Sequence, residues 1–163
     1  MQNLILRKAK PEDSSKLWEI IEPIIQAGDT YVFSPDSSKE KMLAYWLAPD
    51  KETYVCESDG ELVGTFFLKA NQPDSGSHVV NAGYMVSQKS AGKGIGKAMA
   101  DFSFAEAKSL GFQAMQFNYV VKSNEVAVNL WKKMGFGIVG EIPDAFLHPR
   151  LGLTNVYMMY RKL

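Results

Sequence analysis

A glycine-rich segment at residues 92–96 constrains the fold more than any other part of the chain. It separates an apolar run, residues 79–86, from a stretch with apolar residues at helical spacing, residues 94–110. A second apolar run follows at residues 114–121. A helix of this length is the usual crossover between two parallel strands. The sequence therefore predicts a strand–helix–strand unit with glycines at the entrance to the helix.

The turn into this helix has the properties of an anion-binding loop. Glycines let backbone N–H groups approach an anion closely, and the helix dipole adds about half a positive charge there. Two phosphate-binding motifs do not fit, since a Walker loop needs Ser or Thr at Ala98 and a dinucleotide fingerprint needs glycine at Lys97. The alternatives at this point are another phosphate-binding loop or a simple tight connection.

A second motif lies downstream and reads N-x-x-A-x-x-L-W-x-x-x-G-F over residues 124–136. Together with Val86 and the glycine run, it resembles the GCN5-related N-acetyltransferase (GNAT) family, whose first motif is V-x-x-x-x-(R/Q)-G-x-G-(I/V)-G. The chain departs from that motif at Ala91, where the family has Arg or Gln, so one side-chain contact to a pyrophosphate is missing. The segment 80–84 also resembles the matching strand of yeast enzymes that acetylate proline analogues.

The resemblance implies an α/β (α+β) GNAT fold, in which a mixed, mostly antiparallel sheet of about seven strands has one splayed parallel pair and is flanked by four helices. The residue pattern itself predicts strands at 4–8, 53–57, 62–70, 79–86, 114–121, 136–142 and 154–160. Helices are predicted at 12–27, 94–110 and 124–134. A further helix follows a capping box from Ser37 to Glu40 and stops before Pro49, and Pro23 is expected to kink or divide the first helix. We expect one domain over residues 1–163.

Composition limits the partners and the location. The 163 residues carry 18 basic and 18 acidic side chains, so there is no basic field of the kind that binds nucleic acid or an anionic membrane. No metal-binding cluster is evident. The lone Cys56 cannot form an internal disulfide and is expected in the core. The chain lacks a signal-peptide pattern and a long apolar run, which favours a cytoplasmic protein.

The resemblance implies acetyl-CoA as cofactor, with its pantetheine arm filling the gap between strands 79–86 and 114–121. Asn124 would contact the arm, although it is also a suitable helix N-cap. Lys93 and Lys97 would add charge near the pyrophosphate, although both would be ordinary on a solvated surface. The expected cofactor-binding residues are Tyr84, Met85, Val86, Ala91, Gly92, Lys93, Gly94, Ile95, Gly96, Lys97, Asn124 and Trp131.

Two residues are candidates for a catalytic role by the same resemblance. The N–H of Tyr84 would polarise the thioester carbonyl, and Tyr119 occupies a strand position at which relatives often carry glutamate. The family's usual tyrosine acid is replaced by Trp131, whose indole cannot serve as a proton donor and for which core packing is the alternative role. Possible bases are Glu141, Asp144 and His148, all expected at the surface.

Without a strong base, the favoured acceptor is an amine that is already partly neutral. An α-amino group, with a pKa of about 7.8, suits this better than a lysine side chain at about 10.4. We therefore expect a small molecule, an amino acid or an analogue, bound by Tyr31, Phe33, Asn81 and Asn118. The two asparagines, expected in the sheet interior, are alternatively structural. A protein N-terminal acetyltransferase and a non-catalytic acyl-CoA-binding module remain alternatives, and a homodimer is possible because dimers are frequent in the family.

Overall fold

The computed structural model describes residues 3–163 and contains one sheet with helices on both faces. The strands are β1 (Leu4–Lys8), β2 (Glu52–Ser58), β3 (Glu61–Ala70), β4 (Val79–Val86), β5 (Ala114–Val121), β6 (Gly137–His148) and β7 (Gly152–Lys162). The α-helices are α1 (Ser14–Ala27), α2 (Lys39–Trp46), α3 (Ile95–Ser109) and α4 (Glu125–Lys133). The strand order is β1-β2-β3-β4-β5-β7-β6. This confirms the predicted mixed, mostly antiparallel seven-stranded sheet with four flanking helices.

The parallel pair β4–β5 separates soon after it forms. Its paired positions are Val79 with Ala114 and Val80 with Met115. Beyond them β4 continues along β3, while β5 continues along β7 with a shift in register between Phe117 and Val120. The remaining length of β4 and β5 therefore borders a gap in the middle of the sheet, as predicted.

Two cores form on the two faces of the sheet because successive strand side chains point to opposite sides. On one face α3 and α4 cover a cluster that includes Met99, Phe117 and Trp131. On the other face α1 and α2 cover a cluster that includes Trp46 and Met85, and the strands contributing to it are β2, β3 and β4. On that face α1 and α2 therefore cover β5 and β7 less than they cover β2, β3 and β4.

Three details of the secondary structure differ from the sequence-based prediction. Helix α1 is not divided at Pro23 but continues through it to Ala27. Helix α2 is capped by Ser38, whose hydroxyl accepts a hydrogen bond from the Lys41 amide (3.1 Å), and not by Ser37. Strands β6 and β7 are longer than predicted because a register shift between Ile142 and Phe146 lets β6 continue past Pro143.

Arg7 on β1 ties the sheet to the segment before α1. Its guanidinium donates to both carboxylate oxygens of Asp13 (2.8 and 2.9 Å), and its Nε donates to Glu57 (3.0 Å). The hydrogen bond from Arg7 lowers the pKa of Asp13, against the opposing effect of burial. This carboxylate is only 10% exposed, so the pair is shielded from water.

We expect Asp13→Asn to destabilise the protein by about 2 kcal/mol at pH 7, as for a hydrogen bond to a charged group. The pKa of Asp13 is lower in the folded state, so its contribution is present above the unfolded pKa, about 3.9, and is lost as the pH falls through the folded value. Urea unfolding should therefore show the difference from wild type shrinking below about pH 4. Asp50→Asn, which breaks an exposed pair with Lys69, should have a much smaller effect; a pH-independent difference for Asp13→Asn would contradict the assignment.

Candidate functional site

The backbone of β4 presents hydrogen-bonding groups to the gap. The Asn71 amide donates to the Val79 carbonyl (2.8 Å) and the Ser87 amide donates to the Val63 carbonyl (2.9 Å) at the two ends of the β3–β4 ladder. Between these ends the register is regular, so alternate residues bond to β3 and the others face away from it. Of the residues that face away from β3, Val80 pairs with Met115 on β5, and Ala82, Tyr84 and Val86 face the gap.

Some of these gap-facing groups already have partners. The Ala82 N–H donates to the side-chain oxygen of Asn81 (2.8 Å), and the Tyr84 carbonyl accepts from the hydroxyl of Tyr31 (2.8 Å). The N–H of Tyr84 and the backbone of Val86 remain directed into the gap. An extended ligand inserted there would bond to β4 as an added strand does. Met85 differs, since its register position pairs it with Thr65 and its side chain is buried beneath α1 and α2.

The side chain of Tyr84 lies in the core. Its hydroxyl is 2.7 Å from the buried Ser103 hydroxyl, and its ring stacks on Phe66 with centroids 5.5 Å apart. Burial raises the pKa of this phenol. Tyr84 therefore offers its backbone N–H, and not its side chain, to a ligand in the gap.

The loop before α3 has the geometry of an anion cradle. Gly92 and Gly94 have φ values of +75° and +78°, and a Cβ at either position would meet no atom within 4 Å. The first amides of α3, including those of Ile95 and Gly96, have no intrahelical partner. Gly96 has a different role, because a Cβ there would lie 3.3 Å from Leu130. The loop thus leaves open space in front of free N–H groups.

The other side chains expected at the cradle are exposed. Ala91, Lys93 and Lys97 lie at the surface. The Lys97 ammonium pairs with Asp101 (2.7 Å) one helical turn away, so its charge is shared with that carboxylate.

Asn124 and Trp131 occupy the positions expected of a cap and a core residue. The Asn124 side-chain oxygen accepts from the Ala127 amide (3.3 Å) at the start of α4. Its amide NH₂ donates to no protein group in the part of the chain that the structure describes. The Trp131 ring is buried, with centroids 4.6 Å from Phe117 and 4.8 Å from Tyr84. It packs directly against both strands that border the gap.

The residues expected to bind substrate are divided between two places. Tyr31 and Asn81 both bond to the gap-facing backbone of β4, as described above, and Tyr31 packs edge-on to Trp46 with centroids 6.2 Å apart. Phe33 lies farther along the loop after α1 and packs on Tyr45 of α2, with ring centroids 4.7 Å apart. Asn118 is exposed and not in the sheet interior as expected, because α1 and α2 do not cover this part of β5. It forms its own network, donating to Asn71 (2.6 Å) and accepting from Gln116 (2.9 Å).

The candidate acids and bases have other partners. The hydroxyl of Tyr119 donates to the Ala145 carbonyl, between the irregular parts of β5 and β6. Glu141 pairs with Lys122 (2.6 Å), whose hydrogen bond lowers the pKa of the carboxyl. Asp144 is exposed, whereas His148 is buried and not at the surface as expected.

The structure also brings together residues that the sequence did not connect with one another. A cavity of about 360 Å³ lies between the loop after α1, the loop after β5 and the β6–β7 turn. Its lining includes Thr30, Ser123, His148 and Arg150. Of these four residues the sequence had pointed only to His148, as a possible base.

Cys56 is buried in the core, and burial raises the pKa of its thiol to about 11. This confirms the expected core position and disfavours a nucleophilic thiolate. Within residues 3–163 no three His, Cys, Asp or Glu side chains are grouped so as to hold a metal ion. The same residues form no helix long and apolar enough to cross a membrane.

Comparison with known proteins decides the family. The model of the acetyltransferase (GNAT) family matches residues 18–136. The chain belongs to this family. Membership confirms the resemblance carried by the two motifs. It also confirms, at the level of the family, the predicted enzyme class and acetyl-CoA as the cofactor.

Individual GNAT proteins agree with this assignment. The structure of a GCN5-related N-acetyltransferase from Kribbella flavida superposes with a TM-score of 0.93 and 35% identity, over 98% of each chain. A phosphinothricin acetyltransferase from Sinorhizobium meliloti in complex with acetyl-CoA shares the fold, with a TM-score of 0.86 and 21% identity over 98% of this chain and 88% of that one. The N-acetyltransferase aca1 of Schizosaccharomyces pombe is 36% identical over 98 residues, which is 60% of this chain and 47% of that protein. The match thus spans about half the length of this curated relative.

Proposed function

We propose that this protein transfers the acetyl group of acetyl-CoA to the primary or secondary amine of a small molecule, an amino acid or an analogue, by direct attack of the amine on the thioester. The observation that carries the proposal is the gap between β4 and β5, which the Tyr84 N–H faces and the glycine cradle adjoins. The cradle leaves room for a diphosphate, and the gap offers an extended arm free backbone groups. The residues present therefore fit the cofactor.

Acetyl-CoA, when bound, supplies an acetyl group activated as a thioester. The protein's part is to hold and polarise it. Gly92, Gly94 and the first amides of α3 would hold the diphosphate, while the backbone of β4 and the NH₂ of Asn124 would orient the arm. The Tyr84 N–H would donate to the thioester carbonyl oxygen and stabilise the negative charge that develops there. A fixed donor in such a position contributes about 3 kcal/mol to the barrier reduction.

The Tyr31 hydroxyl helps to fix this geometry. By donating to the Tyr84 carbonyl, it holds the β4 backbone at the residue whose N–H must face the thioester. Burial raises the pKa of Tyr31, so the hydroxyl remains protonated as a donor at neutral pH. We propose a similar positioning role for Tyr119, which joins β5 to β6 through Ala145.

The residues around the gap favour an acceptor amine that is already partly deprotonated and needs no base from the protein. The Glu141 carboxylate is committed to Lys122, and no buried carboxylate lies on β4 or β5. Amines of lower pKa hold a larger neutral fraction and need less help from a base. The α-amino group of a peptide-like or weakly basic acceptor meets this requirement better than a lysine side chain.

The test is turnover with a defined panel. The protein is incubated with acetyl-CoA and amino acids, their analogues, or peptides with free N-termini, and release of free thiol is followed together with the acetylated product. We expect turnover with small amino acids or analogues. Turnover confined to peptides would instead favour N-terminal acetylation of proteins. Tight binding of coenzyme A without turnover on any of these would favour a non-catalytic acyl-CoA-binding module.

We also propose a homodimer formed through β6. This strand is an edge of the sheet, and Val139 and Leu147 on it are 62% and 73% exposed. Leu153 on the paired strand is 63% exposed. Exposed apolar side chains on an edge strand favour association with another chain. Light scattering should give the mass of two chains for wild type and of one chain for Val139→Lys; a monomeric wild type would contradict the proposal.

A further inference from the structure

The cavity beside the gap shares only Asn124 with the residues proposed to bind the cofactor. Three separate segments line it: Asp29 and Thr30 after α1, Ser123 and Asn124 after β5, and His148 and Arg150 at the β6–β7 turn. Two of these segments also border the gap. Thr30 precedes Tyr31, which bonds to Tyr84, and Asn124 is an expected contact of the cofactor arm. The cavity therefore shares Asn124 with the proposed cofactor site and shares the loop after α1 with Tyr31.

His148 lines this cavity and has one ring nitrogen without a protein partner. The residue is 6% exposed, and its Nδ1 accepts from the backbone amides of Arg150 (3.1 Å) and Leu151 (3.2 Å). A ring nitrogen that accepts two N–H groups carries no proton, so the neutral ring has its proton on Nε2. Its Nε2–H donates to no protein group among residues 3–163. In this tautomer His148 cannot accept a proton from an amine, but it can donate to an oxygen of a ligand.

Ser123 supplies a second donor without a partner. Its hydroxyl oxygen is buried and forms no hydrogen bond within the described residues. Buried hydroxyls are almost always hydrogen-bonded, so one that lines a cavity without a partner requires an explanation. Rotation of the Ser123 side chain about χ1 would bring this hydroxyl to a ligand oxygen in the cavity, which would then be its partner.

The charges around the cavity define the ligand further. Arg150, which is exposed, adds a guanidinium, while Asp29 and Glu125 add carboxylates. Two neutral donors and a guanidinium suit an oxyanion, and carboxylates suit an ammonium group. An amino-acid zwitterion carries both an oxyanion, its carboxylate, and an ammonium group.

We propose that this cavity binds the carboxylate of an α-amino acid acceptor, with His148 Nε2–H and the Ser123 hydroxyl as its donors and Arg150 as its counter-ion. This proposal rests on the proposed N-acetyltransferase function and names the part of the acceptor that the site recognises. His148 is then a specificity-determining residue and not the general base. The amine of the bound amino acid is left near Asp29 or directed towards the gap.

The test compares acceptors that differ in the carboxylate alone. Proline is paired with pyrrolidine, and phenylalanine with 2-phenylethylamine, and kcat/KM is measured for each with acetyl-CoA. The ratio of acid to amine within a pair is compared between wild type and variant, which cancels the different basicities of the two amines. We expect wild type to prefer the acids, and Ser123→Ala and His148→Gln each to lower the ratio roughly tenfold, as for lost hydrogen bonds to a charged group. Ser77→Ala, at an exposed loop residue, is the control and should leave the ratio as in wild type.

Ser123→Ala also separates recognition from folding. Because the hydroxyl has no partner in the free protein, its removal should leave the urea midpoint unchanged or raise it. A preserved acid-to-amine ratio in both variants would overturn the proposal, as would equal use of acids and amines by wild type.

A second measurement does not depend on turnover. Nitrogen-15 NMR of the imidazole rings reports the tautomer of His148, whose signals are assigned by comparison with His78→Gln. We expect the proton on Nε2. We also expect the Nε2 signal to change when proline or phenylalanine is added at millimolar concentration with coenzyme A present. If no amine is acetylated but this change occurs, the proposed function fails and the carboxylate site stands. An Nδ1-protonated ring, or no response to either amino acid, would overturn the site even if acetylation is observed.

Discussion

Replacing Gly94 by alanine is expected to weaken the binding of coenzyme A at least tenfold while leaving the protein folded. Gly94 has a φ of +78° directly before the first residue of α3. An alanine in this left-handed region costs about 1–2 kcal/mol, although its Cβ meets no neighbouring atom. The strained backbone can relax only by rotating the amides that follow it. Those amides are the donors to the diphosphate, so a loss of about 1.4 kcal/mol or more in binding is expected, which is tenfold in Kd.

Gly60 provides a matched control for this strain. Its φ is +80°, and a Cβ there would likewise meet no atom within 4 Å. It lies in the turn between β2 and β3, away from the cradle. Gly60→Ala should therefore lower the free energy of unfolding by a similar amount and leave the Kd of coenzyme A unchanged in calorimetry. Equal affinities of the two variants would show that the cradle does not hold the diphosphate.

The cradle was predictable because its causes are local. Glycines at residues 92, 94 and 96 lie between a strand and a helix, and the sequence shows both the turn and the free amides that must follow it. The cap at Asn124 is local as well, since its oxygen accepts from the Ala127 amide three residues later. The parallel pair followed from the length of the helix between its strands. These inferences needed no knowledge of contacts between distant segments.

The residues proposed to bind the acceptor were not predictable, because they come together through contacts between distant segments. The Tyr31 hydroxyl meets a carbonyl 53 residues away, and three loops far apart in sequence close the cavity around Ser123 and His148. Strand β6 was expected to end at residue 142, and the next two residues, Pro143 and Asp144, are poor strand formers. The structure accommodates them in an irregular segment of β6, where the Asp144 amide donates to the Asn155 side chain (3.1 Å). This extension places His148 in a hairpin, and the hairpin amides then fix its tautomer.

Trp46→Ala is expected to destabilise the protein by about 4 kcal/mol, as for the removal of a fully buried large aromatic side chain. The Trp46 side chain is 0% exposed, and it packs on Phe67 with ring centroids 4.9 Å apart. Its indole N–H donates to the Thr65 hydroxyl (3.0 Å), which itself donates to the Tyr54 carbonyl (2.7 Å). Because Thr65 keeps that second bond, most of the cost comes from the cavity left under α2. A domain of ordinary stability, about 5–15 kcal/mol, would remain folded but with little margin.

Trp46→Phe separates the ring from the N–H. It retains most of the packing and should cost about 1–2 kcal/mol, mainly through the lost hydrogen bond. Circular dichroism during urea unfolding measures both variants. Trp46 also supports Tyr31, so the alanine variant should weaken coenzyme A binding beyond its effect on stability, whereas the phenylalanine variant should bind nearly as wild type does. A Trp46→Ala protein within about 1 kcal/mol of wild type would mean that α2 does not pack on β3 as described, and the positioning of the Tyr84 N–H by Tyr31 would then lose its structural support.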